Sequence, residues 1–185
     1  AEIGEEYITI KKAVSLDHGT SVGWDSTYGD GVAVWRSITF SNSNYIFDGQ
    51  IGGGPNNFKS GHRFEIERTP PNNCGDNGNL LRVGGGIENI SILHTEIHSN
   101  DNSYPINGVG GMGGTRKLIF SHDYIHNIFG PTFHIGDWEN IVIEDSYFSY
   151  VRSTGSVDPL GVCLNWNAEG ISSVGTNRNF TIRNN

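Results

Sequence analysis

Helix-forming residues are scarce in this sequence: of 185 residues only 4 are Ala and 7 are Leu. These two residues favour helices most, so their shortage argues against a helical domain. Cationic residues are also few, 12 Lys and Arg against 20 Asp and Glu, for a net charge of −8. That balance, with no Lys/Arg run, argues against a phosphate backbone or an anionic lipid surface as partner, so no nucleic acid is anticipated. No apolar run approaches the roughly 20 residues that cross a bilayer, and no membrane insertion is expected. The opening stretch AEIGEEYITI lacks the basic and apolar regions of a signal peptide, so a secreted protein would carry its signal outside this chain. Cysteine is nearly absent. Cys74 lies in a polar loop and Cys163 in an apolar stretch; whether they pair is open, because a bridge needs close Cα atoms. Neither has the partner spacing of a zinc site.

What is abundant points the other way. There are 20 Ile, 20 Asn and 26 Gly. Ile fits a pleated sheet, while Gly and Asn tolerate the left-handed backbone of turns. The chain is long enough for one domain with a real core, and that core is expected to be built from strands.

The strands recur. ENISILHTEIHSN (88–100), RKLIFSHDYIHNI (116–128) and ENIVIEDSYFSYV (139–151) share a skeleton of two alternating apolar residues and a third five places on. The inward pairs are Ile90/Ile92, Leu118/Phe120 and Ile141/Ile143, followed by Ile97, Ile125 and Phe148. RNFTIRNN adds Phe180/Ile182; Ile8/Ile10 and Tyr45/Phe47 are weaker early copies. From Ile90 to Leu118, Ile141 and Phe180 the steps are 28, 23 and 39, so the motif persists while the connections vary. Period-two alternation means strands, and one strand motif repeated means a solenoid. The segments RFEIE, LLRV, AVWRSITF and GVCLN supply further strands, and residues 17–31 and 52–61 read as excursions.

On NISI, NIVI and NFTI, with IHSN and IHNI after the strands at 88–93 and 116–121, the chain resembles the right-handed parallel β-helix of the pectate-lyase-like superfamily. The expected fold is therefore all-β, a single β-helix domain over residues 1–185 with irregular loop excursions. The resemblance implies a polar residue at the bend after each repeated strand, where side chains of successive coils stack. His94, His122, Asp145 and Asn184 occupy that place and are read as a structural ladder. Neighbouring coils would bring His94 and His122 close enough to share a metal, yet register alone accounts for their recurrence, so no metal site is assigned. His98 and His126, at the next equivalent position, should point outward. Asn89, Asn140 and Asn179 recur at the start of the strands.

The same resemblance implies extended polysaccharides as partners. A lyase of this kind needs a basic residue to take a proton beside a uronate carboxylate; Arg116 and Lys117, with Asp123, are the candidates, and Arg82 and Arg152 are further ones. A hydrolase would draw on Asp123, Asp137, Glu139, Glu144 or Asp145, but the paired-aspartate, Gly-His-Gly and Arg-Ile-Lys signatures of polygalacturonases do not occur. The excursion LDHGTSVGWDSTYGDG offers another chemistry. Trp24 and Tyr28 beside Asp25 suit a sugar ring, with apolar C–H faces and hydroxyl edges, although loop aromatics also anchor their own loops. Asp25, Asp30 and CGDNGN could offer oxygens to calcium, but neither stretch matches an EF-hand loop, and no cofactor is assigned. Asn89-Ile-Ser91 and Asn179-Phe-Thr181 fit the glycosylation sequon.

Three functions stay open. The preferred expectation is an extracellular or cell-surface β-helix scaffold that recognises polysaccharide or a surface glycan without cleaving it. The alternatives are a polysaccharide lyase and a fibre-forming structural protein. Neither terminal stretch carries a cap for an open solenoid end, so a section of a longer chain, or end-to-end self-association, is also expected.

Overall fold

The computed structural model describes residues 6–13, 16, 17, 20, 22–25, 27, 28, 31–68, 78–100, 106–151 and 170–185. Cys74, Cys163, Asp30, Arg152 and the GVCLN segment lie outside the described residues. Strands follow one another in triplets. The first coil holds β1 (Ile8–Lys11), β2 (Ala33–Trp35) and β3 (Ile38–Phe40); the second β4 (Tyr45–Asp48), β5 (Phe64–Arg68) and β6 (Asn79–Val83). The third holds β7 (Glu88–Leu93), β8 (Thr95–Ser99) and β9 (Asn107–Met112), and the fourth β10 (Arg116–Ser121), β11 (Tyr124–Ile128) and β12 (Phe133–Gly136). The fifth has β13 (Glu139–Glu144), β14 (Tyr147–Val151) and β15 (Ile171–Val174), and β16 (Arg178–Arg183) opens a sixth.

Each strand pairs in parallel with the strand three places along the chain, giving three sheets: β1-β4-β7-β10-β13-β16, β2-β5-β8-β11-β14 and β3-β6-β9-β12-β15. They are called sheets A, B and C below. This is a parallel β-helix, as the repeat predicts, and no helix occurs among the described residues. The single strand expected from AVWRSITF is two, β2 and β3, because the chain turns between sheets at Arg36 and Ser37.

The repeated strand motif is sheet A. Tyr45, Ile90, Leu118, Ile141 and Phe180 stack in register, as do Phe47, Ile92, Phe120, Ile143 and Ile182. From Ile90 to Ile143 these residues are at most 1% exposed. Aromatic rings pack the interior of the early coils: Trp35 meets Phe64 edge-on at 4.6 Å, and Phe47 meets Phe64 at 4.5 Å. Burial of this column is the main stabilising term, on the order of 25 cal/mol per Å² of apolar surface.

One strand-start position explains the Asn recurrence. Asn44, Asn89, Asn140 and Asn179 all have positive φ, between 56° and 67°, a region that Asn enters more readily than other non-Gly residues. The Asn89 side-chain amide donates to Asn44 Oδ1 at 2.7 Å, and that of Asn179 donates to Asn140 Oδ1 at 2.9 Å. Lys117 interrupts the column, holding φ at 56° without an Asn side chain.

Candidate functional site

The bend between sheets A and B brings the recurrent polar residues together. His94, His122, Asp145 and Asn184 all adopt left-handed backbone, with φ between 48° and 61°. Their turns are tied coil to coil: the His94, His122 and Asp145 amides donate to the carbonyls of Ser121, Glu144 and Arg183. The imidazoles of His94 and His122 lie 4.9 Å apart. His94 Nδ1 pairs with Asp48 at 2.8 Å, and Ser121 Oγ shares a hydrogen bond with His122 Nδ1 at 2.8 Å.

One residue further on, the chain turns inward and a second polar column begins. The Thr95 amide donates to Asp123 Oδ1, the Asp123 amide to Ser146 Oγ, and the Ser146 amide to Asn185 Oδ1, at 2.9, 3.0 and 2.9 Å. Thr95, Asp123 and Ser146 are buried. Burial pushes the Asp123 carboxyl well above the usual carboxylate range, with partial relief from backbone hydrogen bonds at Thr95 and Ser121.

Beyond this turn, sheet B presents two outward columns. Glu65, Glu96, Tyr124 and Tyr147 form one, and Glu67, His98, His126 and Ser149 the other. The histidines reach diagonally to the coil before: His98 Nε2 lies 2.7 Å from Glu65 Oε1, and His126 Nε2 lies 2.8 Å from Glu96 Oε1. Their rings stack at 4.8 Å and 11°, and Tyr124 stacks on His126 at 4.0 Å. Burial raises the affinity of Glu96 for a proton, but the His126 hydrogen bond and the nearby imidazoles outweigh it and leave its pKa below the usual value. Glu67 is also held low, chiefly by the hydrogen bond from the Asn100 side-chain amide.

The excursion between β4 and β5 walls this surface along the solenoid axis. His62 is buried, and its Nε2–H donates to the His122 carbonyl at 3.0 Å. Gly53 and Gly54, both with positive φ, let the loop press on His122; a Cβ at Gly53 would fall 2.0 Å from the His122 carbonyl oxygen. Further along, Phe58 stacks on Tyr147 at 6.0 Å, and Lys59 Nζ lies 4.4 Å from the same ring. An open pocket of about 460 Å³ lies among Asn56, Asn57, Phe58, Lys59, Ser60 and Tyr147.

The residues singled out in the sequence fall in several places. Arg116 and Lys117 stand exposed on sheet A, both against Glu88, at 3.3 and 3.2 Å. Asp123 points into the interior, so these three do not converge. Trp24 and Tyr28 pack edge-on at 5.9 Å, while Asp25 closes a turn by accepting the Thr27 amide and hydroxyl at 2.8 Å. The Thr27 backbone hydrogen bond holds Asp25 below its usual pKa. Asp137 accepts the Thr176 amide at 2.8 Å, and Glu139 and Glu144 pair with Arg178 and Arg183. Tyr124, Tyr147, Glu65 and Glu96 were not apparent in the sequence. The signal was available in register: each lies one residue beyond the inward-turning position. No protein-family model, curated protein or solved structure matches this chain.

Proposed function

We propose that the chain is an extracellular polysaccharide-recognition module of pectate-lyase-like type, holding an extended glycan along the outer face of sheet B. The observation that carries this reading is the Tyr147 platform: an aromatic ring flanked by Phe58 and Lys59 at an open pocket, in column with Tyr124. Sugar rings stack on such faces, while Asn57, Ser60 and the Glu/His columns supply hydrogen-bonding groups for hydroxyls. Trp24, Asp25 and Tyr28 form a second aromatic and carboxylate surface of the same chemistry. The columns run along the solenoid axis with rungs about 4.8 Å apart, so the surface suits a chain ligand rather than a single sugar.

Affinity electrophoresis through gels containing neutral or uronate polysaccharides tests this. At least one should retard the protein, and Tyr147→Ala should weaken retardation by about tenfold or more, matching loss of one stacked ring. Retardation by none of a broad panel, or equal retardation of Tyr147→Ala, would refute it.

A second reading, a polysaccharide lyase, draws on one observation: the His126–Glu96 pair lies beside the Tyr124 ring, so imidazole and phenol stand together for proton transfer. Appearance of unsaturated product by absorbance, lost in His126→Ala, would put this reading first.

A further inference from the structure

The outer columns of sheet B place nitrogen and carboxylate ligands at one point. One ligand atom from each of Glu96, His98 and His126 lies within 4.8 Å of the other two. A second such group, Glu65, Glu67 and His98, shares His98 with the first. We propose that Glu96, His98 and His126 bind a divalent transition-metal ion, with Glu65 as the carboxylate that holds His98 in the metal-free chain.

The chemistry of the donors selects the ion. Two imidazoles and one carboxylate suit zinc, nickel, cobalt or copper, whereas calcium and magnesium prefer oxygen-only shells. Three protein ligands leave positions for water, as in open zinc sites. The scaffold holds the ligands on neighbouring strands. His98 and His126 are directly opposed in the parallel register, and Glu96 lies on the same face of β8, two residues before His98. Metal–nitrogen bonds of about 2.0–2.1 Å require ligand atoms about 3–3.5 Å apart. The Glu96 and His126 atoms, 2.8 Å apart in their hydrogen bond, have to open by only a few tenths of an ångström once the shared proton leaves. The remaining movement is rotation of His98 away from Glu65, without any change in the strands. Partial burial favours the site: the His98 and His126 side chains are only 14% and 12% exposed.

A ladder of His–Glu hydrogen bonds would also explain the two repeated diagonals, but such a ladder predicts no chelation. Titration of the whole chain with zinc, followed calorimetrically, and with cobalt, followed by its visible absorption, separates the two. The expected result is about one ion per chain, proton release on binding and a cobalt spectrum of low-symmetry nitrogen–oxygen coordination. His126→Gln should lower affinity by about 100-fold and Glu96→Gln by about tenfold or more, with circular dichroism of the metal-free variants unchanged. Calcium should give no saturable binding at this site. The double variant His94→Ala/His122→Ala, at the adjacent bend, should still bind. Absence of saturable zinc and cobalt binding, affinity unchanged in His126→Gln, or loss of binding only in the His94/His122 variant would each overturn the proposal.

Discussion

The Oδ1 atom of Asp123 accepts the backbone N–H of Thr95 at 2.9 Å, across the gap between two coils. Its other carboxyl oxygen is buried without a hydrogen-bond partner. The neighbouring rungs, Thr95 and Ser146, each donate a hydroxyl to the carbonyl two residues back, at 3.0 and 2.8 Å. A neutral side chain with one acceptor and one donor therefore suits this position better than a carboxylate.

Asp123→Asn should accordingly be at least as stable as the parent at pH 7, while Asp123→Ala, which strands the Thr95 amide, should lose about 1–3 kcal/mol. Burial raises the folded-state pKa of Asp123. Its contribution is then fully present below the unfolded value near ~3.9 and is lost as pH rises through the folded value. Urea denaturation of both proteins from about pH 4 to pH 8 should show the parent falling behind Asp123→Asn as pH rises. A pH-independent difference would contradict this.

His62 should act with the opposite slope. Burial lowers its pKa, despite the hydrogen bond to the His122 carbonyl that works the other way. A histidine with a depressed folded-state pKa stabilises above the unfolded value near ~6.5 and loses that contribution as pH falls below it. His62→Gln keeps a side-chain N–H for the His122 carbonyl but cannot titrate. Its stability should decline less than the parent's between about pH 7 and pH 5, measured by the same denaturation; equal declines would exclude His62 as the source.

Lys117→Asn should stabilise the fold. Lys117 carries φ of 56° where the other left-handed residues of its column are Asn. Asn relieves left-handed strain and can bond to Asn89 or Asn140, a gain of about 1 kcal/mol. The lost contact with Glu88 is solvent-exposed and contributes little. A lower thermal midpoint for Lys117→Asn would show that the lysine contact outweighs backbone strain.

Gly111→Ala should be among the most damaging glycine substitutions. A Cβ there would fall 2.3 Å from the Val83 carbonyl oxygen and 3.0 Å from Trp138 Cζ2. Trp138 is fully buried, so neither neighbour can retreat without repacking; a loss of about 3 kcal/mol is expected. Gly31→Ala, where a Cβ meets nothing within 4 Å, should leave the thermal midpoint nearly unchanged. Similar midpoints for the two variants would refute the close-packing argument.

Much of the architecture was legible because its signal is local. Alternation at Ile90/Ile92 or Ile141/Ile143 lies within one strand, and recurrence of the same few residues betrays stacking. The bend was legible for the same reason, since His94 and His122 repeat by letter. The adjoining inward column was not, because Thr95, Asp123, Ser146 and Asn185 share only an oxygen that can accept an amide proton. The sheet B surface was hidden more deeply. Glu65, Glu96, Tyr124 and Tyr147 come together only after unequal connections are folded out, and the wall supplied by Phe58 and Lys59 belongs to an excursion with no repeat of its own.

The inward polar column also bears on how this chain tolerates growth. Each of its bonds joins an N–H in one coil to a side chain in the next, so the column works as a keyed joint. A one-residue slip at Asp123 would bring His122 or Tyr124 against the Thr95 amide and leave it bare. Chain length between keys is under no such restraint: 23 residues separate Leu118 from Ile141, and 39 separate Ile141 from Phe180, yet both pairs lie in register. Insertions and deletions can therefore accumulate in the connections, where new surfaces are made, while the joint restores alignment at every coil.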